Sequence, residues 1–180
     1  MPIRVAVADE QDDQPVDCIR LEELARRVLE DRGLPERAEL SVILVGEGEI
    51  AGLNARFLGR EGPTDVLSFP IEDAPGGPYE PVGSGPPDRD GPPSTNGVSA
   101  EEAGPPLLLG DVVICPAVAH RNAPEHAGTY EDEMSLLLVH GILHVLGMDH
   151  ESDDEADAME SLEADLLQRL GESGPHRRRR

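Results

Sequence analysis

The sequence predicts one domain that contains both α-helices and β-strands. Its 180 residues are enough to build a single hydrophobic core. Four short runs rich in β-branched residues are separated by segments whose apolar residues recur at helical spacing. Aromatic residues make up only 2% of the chain and Trp is absent, so we expect a core of Leu, Val, Ile and Ala.

The first two elements are a strand and a helix. Ile3–Ala8 has an alternating pattern with β-branched residues at every second position, which predicts a strand. Cys18–Arg32 carries Leu, Ala and Val at helical spacing, which predicts a helix. Asp17 is the expected N-cap, and Gly33 is expected to end this helix.

The middle of the chain predicts a strand, a short helix and two further strands. Leu40–Val45 is the second predicted strand, and Glu47–Phe57 is a short helix. We expect this helix to turn three apolar side chains inward: Ile50, Leu53 and Phe57. Thr64–Phe69 and Leu108–Cys115 are two short β-rich runs that predict the third and fourth strands.

Two helices are predicted late in the chain. Tyr130–Leu146 follows Thr129, a suitable N-cap, and has acidic residues in its first turn. Asp153–Leu170 carries four apolar residues on one helical face: Met159, Leu162, Leu166 and Leu170.

A segment without apolar periodicity separates the third and fourth predicted strands. Sixteen of the thirty-three residues in Ala74–Pro106 are Pro or Gly. We therefore expect a disordered insertion at 73–106 inside a single domain spanning 1–170. The tail 171–180 ends in four arginines; we expect it to be disordered, either as a solvated charge run or as a phosphate-binding arm.

The charge balance excludes some classes of function. Fifteen basic residues, all of them Arg, face 37 acidic ones, which gives a net charge of −22. This argues against coating nucleic acid or anionic membrane by general attraction, although a local RNA site remains compatible with it. Two cysteines, Cys18 and Cys115, are too few for a disulfide framework. Met1–Glu10 does not resemble a signal peptide, so we expect a cytoplasmic protein without a membrane partner.

The most informative residues are three histidines near the end of the Tyr130–Leu146 helix. His140 and His144 are four residues apart, so both imidazoles project from one helical face. Gly147 can reverse the chain and bring His150 to them. Three neutral nitrogen ligands with an open fourth position are typical of catalytic zinc, although nickel or iron also accept such ligands.

Two other interpretations fit these histidines less well. Ordinary histidines on a half-buried helix would each need a partner, since burying unpaired polar groups costs about 2–7 kcal/mol apiece. The spacing also matches the long zinc-peptidase motif, but that motif places a Glu general base where this chain has Gly141. The remaining histidines, His120, His126 and His176, are expected to be solvated.

Several motifs together resemble a known family. The histidine motif reads His140-Gly-x-Leu-His144-x-x-Gly-x-Asp149-His150, and it is accompanied by Leu53–Asn54, Pro63–Pro70 (PTDVLSFP) and Leu109–Cys115 (LGDVVIC). This combination is similar to that of the bacterial YbeY family of endoribonucleases and rRNA maturation factors. The resemblance covers roughly Val5 to Leu170.

The resemblance implies an α+β fold, in which a small mixed four-stranded sheet is flanked by helices. It implies one zinc ion bound by His140, His144 and His150 at the end of a central helix. It also implies cleavage of single-stranded RNA in 16S rRNA 3′-end maturation and ribosome quality control. The expected partners are the 16S rRNA precursor, the 30S ribosomal subunit and ribosomal proteins.

One position departs from the family pattern. Many members carry a functionally important Arg that, counted from Asn54, falls on Leu58 here. Arg56 and Arg60 lie two residues to either side. We favour Arg60 as the phosphate-binding residue, because it is closer to the Pro63–Thr64 turn.

The catalytic hypothesis is that zinc activates water or binds the scissile phosphate. Asp149 would orient the water or accept its proton, or would instead fix an imidazole. Asp65 and Asp111 are further carboxylate candidates, or simply turn and strand-end residues; Ser68 is expected to be structural. A different class of function stays open: a non-catalytic, zinc-stabilised ribosome assembly factor whose acidic surface docks onto basic ribosomal proteins.

Overall fold

The computed structural model describes residues 2–71 and 104–172. Within them the strands are β1 (Arg4–Asp9), β2 (Ala38–Leu44), β3 (Val66–Pro70) and β4 (Leu107–Ile114). The helices are α1 (Cys18–Asp31), α2 (Glu47–Leu58), α3 (Pro116–Asn122), α4 (Tyr130–Val145) and α5 (Asp153–Arg169). The predicted insertion 73–106 lies outside the described residues except for 104–106, and so does the predicted tail 171–180 except for 171–172.

The four strands form one mixed sheet in the order β1-β2-β4-β3. β1, β2 and β4 are parallel, and β3 runs antiparallel to β4. The register is interrupted once, where Glu39 pairs with Leu108 and Leu40 pairs with Gly110, leaving Leu109 as an extra residue in β4. The fold is therefore α+β with a mixed four-stranded sheet, as expected.

The two faces of the sheet are covered by different helices. Val42, Val112 and Ile114 face the larger core, which they share with α1, α4 and α5. Their strand neighbours, such as Val113, point to the opposite face and pack with residues of α2 and α3 in a smaller cluster. This alternation follows from the two-residue period of a strand.

α4 is the central helix of the domain. It packs on β3 and β4 and also contacts α1, α3 and α5. Eleven of its sixteen residues are buried, which is typical of a helix surrounded by other elements. Thr129 accepts a hydrogen bond from the backbone N–H of Asp132 at 3.1 Å, so the predicted N-cap is confirmed.

The other helix ends also agree with the sequence. Asp17 accepts a hydrogen bond from the N–H of Arg20, and Gly33 ends α1 with a φ of 76°. Ser152 and Glu155 form a reciprocal capping box at the start of α5.

Three details differ from the expectations. α3 was not predicted, because seven residues are too short to show helical periodicity; its Pro116 occupies the first turn, where proline is favoured. The Phe57 side chain does not point inward: the residue is 54% exposed and its ring lies edge-on to Phe69 at 5.1 Å. His126 is not merely solvated, since its Nδ1 lies 2.8 Å from an oxygen of the buried Glu133.

Two further expectations concern the cysteines and membranes. Cys18 and Cys115 are both free thiols, and burial raises the pKa of each above its ordinary value. Among the described residues, no helix combines the length and the apolar character needed to cross a membrane.

Candidate metal centre

The structure brings the three predicted histidines together. Each of His140, His144 and His150 offers one ring nitrogen, and these three atoms lie within 4.8 Å of one another. The ring centroid of His150 is 5.5 Å from that of His144 and 6.3 Å from that of His140. The three imidazoles are therefore close enough to bind a single metal ion.

The helix itself positions two of them. Residues four apart on a helix lie on one face, one turn above each other, and the ring centroids of His140 and His144 are 4.5 Å apart. Their Nε2 atoms are separated by 3.0 Å. Both rings thus direct their Nε2 atoms toward the same position between them.

The turn at the end of α4 positions the third histidine, His150. Gly147 has a φ of 94°, a left-handed conformation that favours glycine. Its N–H donates to the carbonyl of His144, and the N–H of Met148 donates to the carbonyl of Leu143, each at 3.0 Å. These bonds form a Schellman motif, which reverses the chain and returns His150 to the helix end.

Each helix histidine has a carboxylate at its other ring nitrogen. His140 Nδ1 lies 2.5 Å from Oε1 of Glu163 on α5, and His144 Nδ1 lies 3.2 Å from Oδ1 of Asp149. An ionised carboxylate only accepts hydrogen bonds, so each of these contacts favours the tautomer that carries its proton on Nδ1. Both Nε2 lone pairs then face each other across the 3.0 Å gap, an arrangement that a bound cation stabilises. The donor set therefore fits a metal ion.

The environment of His144 disfavours the charged form of its imidazole. Burial lowers the pKa of His144 below its ordinary value, and the neighbouring His140 lowers it further, whereas the hydrogen bond to Asp149 opposes the shift. A histidine must be deprotonated at the nitrogen that binds a metal. The lowered pKa of His144 thus favours the neutral form that a metal ligand requires.

The other carboxylate candidates are not placed at the histidines. Asp65 accepts a hydrogen bond from the N–H of Val66 at 2.8 Å, which is a strand-end contact. Asp111 precedes Val112, whose side chain faces α4, so Asp111 points to the opposite face of the sheet. Ser68 donates from Oγ to the carbonyl of Gly141 at 2.9 Å, and this contact ties β3 to α4.

The arginine region lies at the end of α2. Leu58, at the family's arginine position, is the last residue of α2 and is 54% exposed. Arg60 is exposed beyond it, and its N–H donates to the carbonyl of Asn54. Arg56 lies 5.2 Å from the ring centroid of Phe57. The two arginines therefore occupy different settings, one on a helix beside an aromatic ring and one in the turn that follows.

Gly141 faces the sheet and not the histidine nitrogen atoms. A Cβ at this position would lie 2.5 Å from Val112 Cγ1 and 3.3 Å from Val66 Cγ2. A side chain at this position would require Val112 or α4 to shift. A glutamate base next to the first histidine, as in zinc peptidases, is incompatible with this packing, which agrees with the sequence argument against a peptidase.

Glu163 is a site residue that the sequence reasoning missed. It is one of 37 acidic residues, and it lies 23 positions after His140 in the chain. A signal was present, because Glu163 falls within the apolar face of α5, four residues after Met159 and three before Leu166. A charged residue among buried positions of a helix indicates a specific partner.

Comparison with known proteins identifies the family. Residues 6–171 match the family model described as endoribonuclease YbeY. The chain is 43% identical over 153 residues to the endoribonuclease YbeY of Acidothermus cellulolyticus, covering 84% of this chain and 82% of that protein. It is 43% identical over 154 residues to that of Thermobifida fusca, with 85% of each chain covered.

A solved structure shows the same fold. The solution structure of TM1509 from Thermotoga maritima aligns with a TM-score of 0.52 at 23% sequence identity, covering 97% of this chain and 99% of that one. This likeness agrees with the α+β architecture described above. The family itself follows from the match over residues 6–171 and from the relatives above 40% identity: the chain belongs to the YbeY endoribonuclease family.

Proposed function

We propose that this protein is a zinc-dependent endoribonuclease that cleaves single-stranded RNA in the cytoplasm. Its substrate would be the 16S rRNA precursor in the 30S subunit, during 3′-end maturation and ribosome quality control. Family membership supports the reaction class. The observation that carries the metal dependence is the convergence of three histidine nitrogen atoms within 4.8 Å, two of them on rings whose other nitrogen faces a carboxylate.

The residues of the candidate metal centre would have different roles. His140, His144 and His150 would hold the metal. Zinc in such a site supplies Lewis acidity toward a phosphoryl oxygen and acidifies water. Asp149, whose side chain is 82% exposed, accepts the Nδ1–H of His144 through one oxygen and presents its carboxylate to solvent beside His150. In this proposal its second oxygen orients the attacking water or accepts the proton that it loses.

Arg60 would bind the RNA backbone. It is exposed in the turn between α2 and β3, and β3 packs against the helix that carries His140 and His144. A guanidinium binds phosphate through paired hydrogen bonds. With a net charge of −22, the protein has little general attraction for RNA, so a few local cations and the metal would select the substrate.

A cleavage assay tests the proposal. Purified protein with zinc is incubated with a single-stranded RNA and with the same sequence as a duplex, alongside a chelated sample and His144→Ala. We expect cleavage of the single strand only, lost on chelation and in His144→Ala together with zinc stoichiometry. The variant also controls for contaminating nuclease.

Two outcomes would contradict the proposal. Full cleavage by a zinc-free His144→Ala protein would exclude a metal-dependent reaction. Binding to the 30S subunit without cleavage of any RNA would instead support the assembly factor.

A second experiment tests Arg60. Arg60→Ala should weaken RNA affinity and leave zinc stoichiometry unchanged, and it should reduce the salt dependence of binding by about 0.7 in log–log slope, as expected for one lost phosphate contact on a single strand. Arg32→Ala, at a half-buried arginine that follows α1 on another part of the domain, is the control. Equal RNA affinities for the two variants would mean that Arg60 is a solvated surface residue that does not bind the RNA backbone.

A further inference from the structure

Glu163 is a carboxylate in an apolar setting. Its side chain is 7% exposed, and its neighbours on the inner face of α5 are Met159, Leu166 and Leu167, each at most 2% exposed. An ionised carboxylate is unfavourable in such surroundings unless hydrogen bonds compensate it. The partner that the structure gives it is Nδ1 of His140, at 2.5 Å.

Anchoring of α5 does not by itself explain this buried pair. The C-terminal part of α5 is already joined to α1 by polar contacts nearer the surface. Arg169 pairs with Asp31 at 2.7 Å, and Arg27 donates to the carbonyl of Leu170 at 2.5 Å. The Glu163–His140 contact is therefore not the only polar contact that attaches α5 to the rest of the domain.

The geometry points to the imidazole. We propose that Glu163 is a positioning residue of the metal centre: its carboxylate accepts the Nδ1–H of His140 and thereby fixes Nε2 as the metal-binding nitrogen and sets the orientation of the ring. Asp149 has the same relation to His144. The two carboxylates come from different elements, yet both meet Nδ1 of rings whose Nε2 atoms face each other at 3.0 Å.

The two carboxylates are not equivalent. Asp149 has an 82% exposed side chain and a 3.2 Å contact, so water competes for it. Glu163 is buried and its contact is 0.7 Å shorter. Electrostatic interactions weaken with hydration, so Glu163 contributes more to metal binding than Asp149. This inference rests on the proposed metal centre but not on the cleavage of RNA.

Zinc affinity measured by chelator competition tests the assignment. Glu163→Gln keeps the size of the side chain and removes its charge, and we expect zinc binding about 10- to 100-fold weaker, as is typical for a lost partner of a metal-binding histidine. Asp149→Asn should weaken zinc binding by a smaller factor. The matched control is Glu160→Gln, an exposed position on the same helix, which should bind zinc like the wild type. Equal zinc affinities for the Glu163 and Glu160 variants would overturn the proposal.

A spectroscopic measurement on the wild type does not depend on how any variant folds. In metal-free protein at about pH 8, above the ordinary histidine pKa of about 6.5, imidazole ¹⁵N shifts report which nitrogen carries the proton. We expect His140 protonated at Nδ1, and a mixture of tautomers in Glu163→Gln. A proton on Nε2 of His140 in the wild type would overturn the proposal even if Glu163→Gln proved unstable.

The outcomes separate this proposal from the previous one. A wild-type protein whose zinc affinity depends on Glu163 but which cuts no RNA would overturn the proposed reaction and support the positioning role. A protein that cleaves RNA and binds zinc independently of Glu163 would support the proposed reaction and overturn the positioning role of Glu163.

Discussion

Val112 of β4 and Gly141 of α4 set the closest approach of the central helix to the sheet. A Cβ on residue 141 would lie 2.5 Å from Val112 Cγ1, closer than any normal van der Waals contact. Because His140 and His144 lie on either side of this glycine on the same helix, the contact also sets how far the two histidines stand from β3 and β4.

Gly141→Ala should therefore destabilise the protein. Alanine favours a helix by about 1 kcal/mol over glycine, but overpacking costs about 1–3 kcal/mol, so we expect a net loss in the free energy of unfolding measured with urea. Gly52→Ala is the control, since a Cβ in that part of α2 would meet no atom within 4 Å; it should stabilise by about 0.5–1 kcal/mol. A Gly141→Ala protein at least as stable as Gly52→Ala would show that α4 shifts freely.

Gly147 and Gly171 offer a matched pair of helix-ending glycines. Their φ angles are 94° and 75°. Each lies just after a helix, and the same pair of backbone hydrogen bonds closes the helix end at both positions. Alanine at either position should cost about 1–2 kcal/mol of stability. Only Gly147→Ala should also weaken zinc binding in chelator competition, because it displaces His150. Equal zinc affinities for the two variants would mean that His150 reaches its place without this turn.

The titration of His144 in the metal-free protein should reflect its neighbours. Its pKa lies below the ordinary histidine value through burial and His140, and Asp149 opposes the shift. Imidazole NMR should therefore give a lower pKa for His144 in Asp149→Asn and a higher one in His140→Gln. Shifts in the opposite directions would contradict the arrangement of charges described here.

The sign of this shift also determines how His144 affects stability. The unfolded chain binds more protons at this residue than the folded one over the range just below the ordinary pKa of about 6.5. The contribution of neutral His144 is present above that pH and is lost as the pH falls through the lowered folded pKa. We expect acidification to destabilise the wild type more than His144→Gln, measured as denaturation midpoints. An equal loss of stability on acidification in the two proteins would contradict this role of His144.

Glu133 should be essential for the loop that precedes α4. This residue is fully buried, and its carboxylate accepts from the N–H of Ala127 at 3.1 Å and contacts His126 Nδ1 at 2.8 Å. Glu133→Ala leaves a buried N–H without its acceptor, which costs about 1–3 kcal/mol. Chemical denaturation should show that loss, while Glu125→Ala, at an exposed residue of the same region, should change stability little.

Local chemistry explains which parts of this structure could be predicted. The N-caps Asp17 and Thr129 and the end of α1 at Gly33 depend on neighbouring residues, and all three are as expected. The convergence of the histidines is also local, because one helical turn and one glycine bring them together. Strand order is different, since no short segment encodes that β4 lies between β2 and β3; the mixed sheet was predicted only through the resemblance.

The residues that escaped prediction depend on distant contacts. Phe57 lies on the apolar face of α2, but α2 buries only Ile50 and Asn54, so the ring remains at the surface against Phe69. Glu163 meets His140 only when α5 packs on α4. Helical periodicity places a residue on a face, whereas the packing partner decides what that face touches.

The position of Glu163 in α5 also concerns how the protein is made. All three histidines precede this helix in the chain, whereas the carboxylate that we assign to His140 belongs to it, and α5 is joined back to the first helix through Arg169 and Asp31. A growing polypeptide that has reached only His150 carries every proposed ligand without the group that orients the first of them. On this account, the orientation of His140 is set only after the last described helix has been synthesised and has packed against α4.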